Sequence, residues 1–169
     1  MVLFGEDAFL LDPLSPPAGT APGLRLAHGL ARIDYRGRRT NIPAAVERAL
    51  YELRSNGRDG AERAIILLTD GVVDTGDRAR DLEKTRWLLE DLVEEGRRAQ
   101  VRIFGIAFTD RADTQLIQAL ATRTGGDYFR VQRAEDIPAV LAEIESALAR
   151  APRPPAARET EAALARAPE

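Results

Sequence analysis

AIILLTDGVVDTGD, residues 64–77, begins as an apolar run from Ala64, ends that run at Thr69-Asp70-Gly71, and adds carboxylates at Asp74 and Asp77. A continuous apolar run bounded by a turn signal is the pattern of a strand buried on both faces, as in parallel sheets. VRIFGIAF, residues 101–108, has the same character. Between the two, residues 79–95 read as a long amphipathic helix with Leu82, Leu88, Leu89, Leu92 and Val93 inward and Gly96 as its stop. Strand, crossover helix and strand in this order predict an α/β fold, a mostly parallel sheet with helices on both faces.

Outward from this unit the alternation continues. Upstream, VLFGEDAFLL reads as two short strands around the turn Gly5-Glu6-Asp7, an antiparallel hairpin. The Pro- and Gly-rich DPLSPPAGTAPG is a loop, and residues 24–33 read as a short helix weakened by Gly29. RRTNIP opens a stronger helix: Asn41 or Thr40 can cap it, Pro43 suits its first turn, and Ile42, Val46, Ala49, Leu50 and Leu53 recur at helical spacing until Asn56-Gly57. Downstream come a helix over 113–123, a Gly125-Gly126 turn, the strand DYFRV, and a helix from Asp136 to Ala149 burying Ile137, Val140, Leu141, Ile144 and Leu148. The domain is expected to span 1–149, with 150–169 a Pro- and Ala-rich tail or linker.

Composition narrows the function. The 169 residues fit one domain, and a 44% hydrophobic content supports a core. A net charge of −3 gives no basic footprint for nucleic acid, so no nucleic-acid partner is expected. No cysteine is present, which excludes thiolate sites, and the single His28 excludes a histidine-rich one; His28 itself reads as packed or surface-exposed. No apolar run approaches the ~20 residues of a membrane span.

In open α/β sheets, ligands bind beyond the carboxyl ends of the strands. Asp70 stands at one such end, and Thr40, at a helix start, can face the same crevice. A carboxylate and a hydroxyl are hard oxygen donors suited to Mg²⁺. Each also has a plainer reading, Asp-Gly as a turn and Thr as a helix cap. Asp74 and Asp77 read as loop and cap residues of the following helix, and Trp87 as packing.

VLFGEDAFLLDPLSP, RGRRTNIPAAVERAL, RAIILLTDG, VRIFGIAFTD and LATRTGGDYFRVQRAEDI, in that order, resemble the successive blocks of a von Willebrand factor type A domain. The resemblance covers roughly residues 1 to 149. It implies a Rossmann-like three-layer sandwich with one antiparallel edge hairpin. It also implies a metal-ion-dependent adhesion site, in which Thr40 matches the family's threonine and Asp70 its aspartate. The third element of that site, an Asp-x-Ser-x-Ser loop, has no match; DPLSP at Asp12 to Pro16 has the wrong spacing and place. The family's motif ends a central first strand, so the chain is expected to start one strand and one helix late. Losing about five buried residues at about 1.5–3 kcal/mol each rivals the ~5–15 kcal/mol stability of a domain, and it opens sheet edges to self-association.

The resemblance implies a protein-binding module that recognises a partner, in one version through the partner's acidic side chain on Mg²⁺ or Mn²⁺ held by Thr40 and Asp70. Metal binding is expected to be weak or absent in this chain. The alternative is a scaffold domain of the same fold without metal. A third reading, a haloacid-dehalogenase-like phosphatase, is suggested by LLTDGVVDTG but places Leu68 at the nucleophile position, and leucine cannot attack phosphorus. No catalytic residue is expected. Many bacterial members are membrane-anchored with the domain outside the cytoplasm, and by family analogy the tail could act as a tether.

Overall fold

The computed structural model describes residues 1–14, 39–108 and 112–150. The sequence expectations for the loop from Ser15, the weak helix over 24–33, His28 and the tail from Ala151 lie outside these residues.

Two sheets form. Strands β1 (Val2–Phe4) and β2 (Ala8–Leu10) make the expected hairpin, with Val2 opposite Leu10 and Phe4 opposite Ala8. The parallel sheet has the order β3 (Arg63–Thr69), β4 (Val101–Phe108), β5 (Tyr128–Val131). Arg63 pairs with Val101 through to Thr69 with Ala107, and Gly105 pairs with Tyr128 through to Phe108 with Val131.

The alternation along β4 divides the core. Val101 and Ile103 face the side on which helix α1 (Ile42–Asn56) packs with Ile42, Val46 and Leu50. Phe104 and Ile106 face the other, where α5 (Ile137–Arg150) brings Ile144. This is the helix–sheet–helix layering expected. Helix α1 starts where the sequence places it: Asn41 Oδ1 accepts the Ala44 N–H at 3.2 Å, and Pro43 occupies the first turn. It stops at Gly57, where a Cβ would stand 2.2 Å from the Leu53 carbonyl oxygen.

Three expectations need correction. The helix over 79–95 is really α2 (Arg78–Trp87), a π-helical turn (Leu88–Leu92) and α3 (Val93–Arg98). The wider turn resets the inward face, so Leu88, Leu92 and Val93 are buried while Leu82 is 67% exposed. Gly96 does not stop the helix; it lies buried inside α3, against Leu50 and Thr124, and the chain turns at Gln100 with φ 54°.

The second correction is in β3. Ile65 and Leu67 are buried, but Ile66 and Leu68 on the opposite face are 45% and 43% exposed. The cluster around α5 takes Phe104, Ile106 and Val131 but only Ala64 from β3, so among the described residues it leaves Ile66 and Leu68 uncovered. The third is Leu141 of α5, which is exposed rather than inward. The fourth helix, α4 (Thr114–Thr124), is capped by Asp113, whose Oδ1 accepts the Leu116 N–H, and ends on Gly125 at φ 75°.

Candidate metal site

The carboxyl ends of the parallel strands are where three loops meet, and each is fixed by identifiable bonds. After β3 the chain runs through Asp70 and Gly71 to Asp77. Thr40, just before α1, pairs with this loop as a short antiparallel bridge: its N–H donates to the Asp74 carbonyl at 2.8 Å, and Asp74 N–H returns the bond at 3.0 Å. The Asp113 N–H donates to the Gly71 carbonyl at 3.2 Å, tying the start of α4 to the same loop.

Of the two residues offered as helix caps, Asn41 does the capping. The Thr40 side chain turns instead toward Gly71: a Cβ built there would stand 3.1 Å from Thr40 Oγ1. The hydroxyl therefore occupies the space a side chain at position 71 would fill, one residue beyond the exposed carboxylate of Asp70. Thr40 thus lies beside Gly71, the residue that follows Asp70.

The other acidic residues of the loop have local tasks. Asp74 Oδ1 accepts the Gly76 N–H at 2.8 Å. Asp77 Oδ1 accepts the Ala79 and Arg80 N–H groups at 2.9 and 3.1 Å. The Arg80 and Ala79 backbone bonds hold the Asp77 carboxyl below its ordinary 3.8. Asp81 Oδ1 accepts both the N–H and the hydroxyl of Thr75 at 2.7 Å.

Sequence reasoning missed the long-range ties that fasten this end of the fold. Asn41, beyond capping α1, donates through its backbone to the Gly5 carbonyl at 2.7 Å and through Nδ2 to the Glu6 carbonyl at 3.0 Å. Arg39 donates to the Thr75 carbonyl at 2.6 Å and meets Glu6 at 3.1 Å. These ties cross between distant parts of the chain, and no local pattern announces them.

The donor chemistry at Thr40 and Asp70 is all oxygen, which fits Mg²⁺ or Mn²⁺ and not a soft metal. Among the described residues no group of three or more His, Cys, Asp or Glu is arranged to hold a metal ion. Two such side chains would supply only part of an octahedral shell.

Comparison with curated protein sequences gives no match. Solved structures give several. The conserved hypothetical protein BatB from Bacteroides thetaiotaomicron is similar at TM-score 0.61 and 19% identity, over 89% of this chain and 78% of that one. An aerotolerance-related membrane protein from Bacteroides fragilis is similar at TM-score 0.62 and 18% identity, over 85% and 76%. A von Willebrand factor type A structure from Catenulispora acidiphila is similar at 0.61 and 16%, over 84% of this chain and 31% of that one. At these identities the likeness is one of fold. Residues 25–143 match the sequence profile of the von Willebrand factor type A domain. With that match across most of its length, and with this parallel sheet and hairpin, the chain belongs to the von Willebrand factor type A domain family.

Proposed function

We propose that this domain is a protein-recognition module in which Thr40 and Asp70 hold one Mg²⁺ or Mn²⁺, with water completing the shell and one position available to a partner's acidic side chain. Domains of this family serve generally as protein-interaction modules rather than enzymes. The observation that supports the metal reading is the placement of Thr40: released from capping by Asn41, its hydroxyl sits against Gly71, next to Asp70. A divalent ion there would supply positive charge that joins two carboxylates across an interface. The protein's part is to hold the two oxygens, which the Thr40–Asp74 bridge does through the backbone.

A scaffold of the same fold without metal is the second reading, favoured by the lack of any cluster of three His, Cys, Asp or Glu suited to a metal among the described residues. The phosphatase reading has no support at the site, since Leu68 stands where its nucleophile would be. Among the described residues no helix is long and apolar enough to cross a membrane. We place the domain at residues 1–149, with 150–169 as its tail.

Calorimetric Mn²⁺ titration with parallel thermal melts tests the proposal. Weak binding is expected in the wild type, at least about tenfold weaker in Asp70→Ala and measurably weaker in Thr40→Ala. The melts should shift little, because Asp70 is exposed and Thr40 lies outside the core. Equal Mn²⁺ affinity in wild type and Asp70→Ala, or a large loss of stability in that variant, would favour the turn reading of Asp70 and sink the metal proposal.

A further inference from the structure

The chain has two asparagines, and the fold treats them in opposite ways. Asn41 is 8% exposed and both its side-chain groups are engaged: Oδ1 accepts the Ala44 N–H at 3.2 Å, and Nδ2 donates to the Glu6 carbonyl at 3.0 Å. The β-branched Ile42 follows it. Asn56 is exposed, is the last residue of α1, and is followed by Gly57. Asparagine is among the thermally labile residues, and its weak point is the amide nitrogen of the next residue. Once that nitrogen loses its proton it can attack the asparagine side-chain carbonyl. A glycine leaves the nitrogen open, having no side chain to obstruct the approach.

The fold imposes this reactive pair. A Cβ at position 57 would stand 2.2 Å from the Leu53 carbonyl oxygen, a backbone atom, so α1 ends against a residue that must be glycine. The fold also restrains the pair. Gly57 N–H donates to that same Leu53 carbonyl at 3.0 Å, so the proton that has to leave is held. The restraint belongs to the last turn of a helix, where opening costs little. Arg54 fastens this turn to α3 through Glu95 at 2.5 Å, but the two side chains are 57% and 37% exposed, and such pairs contribute little.

We propose that Asn56 is a site of spontaneous chemical modification, gated by the hydrogen bond from Gly57 to Leu53. When the last turn opens, the Gly57 nitrogen gives up its proton to solvent and attacks Asn56 Cγ. The new N–C bond closes a five-membered imide, the Cγ–Nδ2 bond breaks, and ammonia leaves carrying a proton from solvent. Water then opens the imide at either carbonyl, giving aspartate or isoaspartate. Water is the only co-reactant. Either product puts a carboxylate at the negative end of the α1 dipole. Isoaspartate also adds a carbon to the main chain between residue 56 and Gly57, which shifts the Gly57 N–H out of register with Leu53. The site lies at the opposite end of α1 from Thr40 and does not rest on the metal reading.

The test incubates the full chain in mildly alkaline buffer, folded and in guanidinium chloride, and maps it by peptide mass spectrometry, with isoaspartate identified by electron-transfer fragmentation. In the folded protein conversion should appear at Asn56 and not at Asn41, and in denaturant Asn56 should convert at least about tenfold faster. The proton that starts the reaction is the one that amide exchange reports. Arg54→Gly, which removes the Glu95 pair and weakens the last turn, should therefore speed Gly57 exchange and Asn56 conversion in the folded protein by a common factor, about fivefold, and leave the rate in denaturant unchanged. Conversion of Asn41 as fast as Asn56 in the folded protein, no conversion of Asn56, or equal Asn56 rates folded and in denaturant would each overturn the proposal. So would Arg54→Gly leaving folded Asn56 conversion at the wild-type rate.

Discussion

Asp77 shows how a single carboxylate in the loop acts on stability rather than on a ligand. Its Oδ1 takes two N–H groups at the start of α2, from Ala79 and Arg80, and these bonds depress its pKa below the ordinary 3.8. A depressed carboxylate stabilises the fold above its unfolded pKa, and the contribution is lost as pH falls through the folded value. Asp77→Ala should therefore be less stable than wild type at neutral pH, and the difference should narrow in acid, between pH 7 and about 2.5. Urea unfolding at both pH values checks this; a gap of constant size would show that the charge contributes nothing. This role was legible because Asp followed by an amphipathic stretch is a helix-start signal. The same local grammar could not decide between Thr40 and Asn41 as the cap of α1. The deciding contacts, Asn41 to Gly5 and Glu6 and Thr40 to Gly71 and Asp74, come from residues 30 or more positions away.

Between elements, the firmest polar link is Thr124 at the end of α4. Its hydroxyl is buried, donates to the Leu120 carbonyl at 2.8 Å, and accepts the Ile103 N–H of β4 at 2.9 Å. Thr124→Val keeps the shape but leaves that buried N–H without a partner. The expected loss is about 1–3 kcal/mol, read as a lower urea midpoint at unchanged slope. A loss near zero would show that water reaches Ile103. Periodicity located the described strands and α-helical stretches, though not the π-helical break in one of them, because apolar spacing records which face a segment buries. It failed where burial depends on what lies opposite. Leu82 fits an inward face on an ideal helix, but the π-helical turn at Leu88–Leu92 rotates that face away. Ile66 and Leu68 read as covered because apolar runs usually are, yet α5 lies over β4 and β5 instead.

At the scale of the molecule, the two sheets share no ladder among the described residues and meet through α1, the Asn41 bonds to the hairpin turn, and the Thr40–Asp74 bridge. The sequence resemblance anticipated the parallel sheet and the hairpin. It left the proposed metal site incomplete, because only Thr40 and Asp70 match parts of the family's three-part motif. The way the hairpin is attached has a consequence in time. It is tied to α1 and Asn41 rather than laddered into the parallel sheet, so it is expected to lift away before that sheet opens. The protein should then keep two clocks. Amide exchange in the ladder between Val2 and Leu10 should follow a brief local opening, while β4, paired on both sides, exchanges only when the whole chain unfolds. Mild urea should speed β4 steeply and leave the hairpin nearly unaffected, and equal urea dependence at both would mean that the molecule opens as one body.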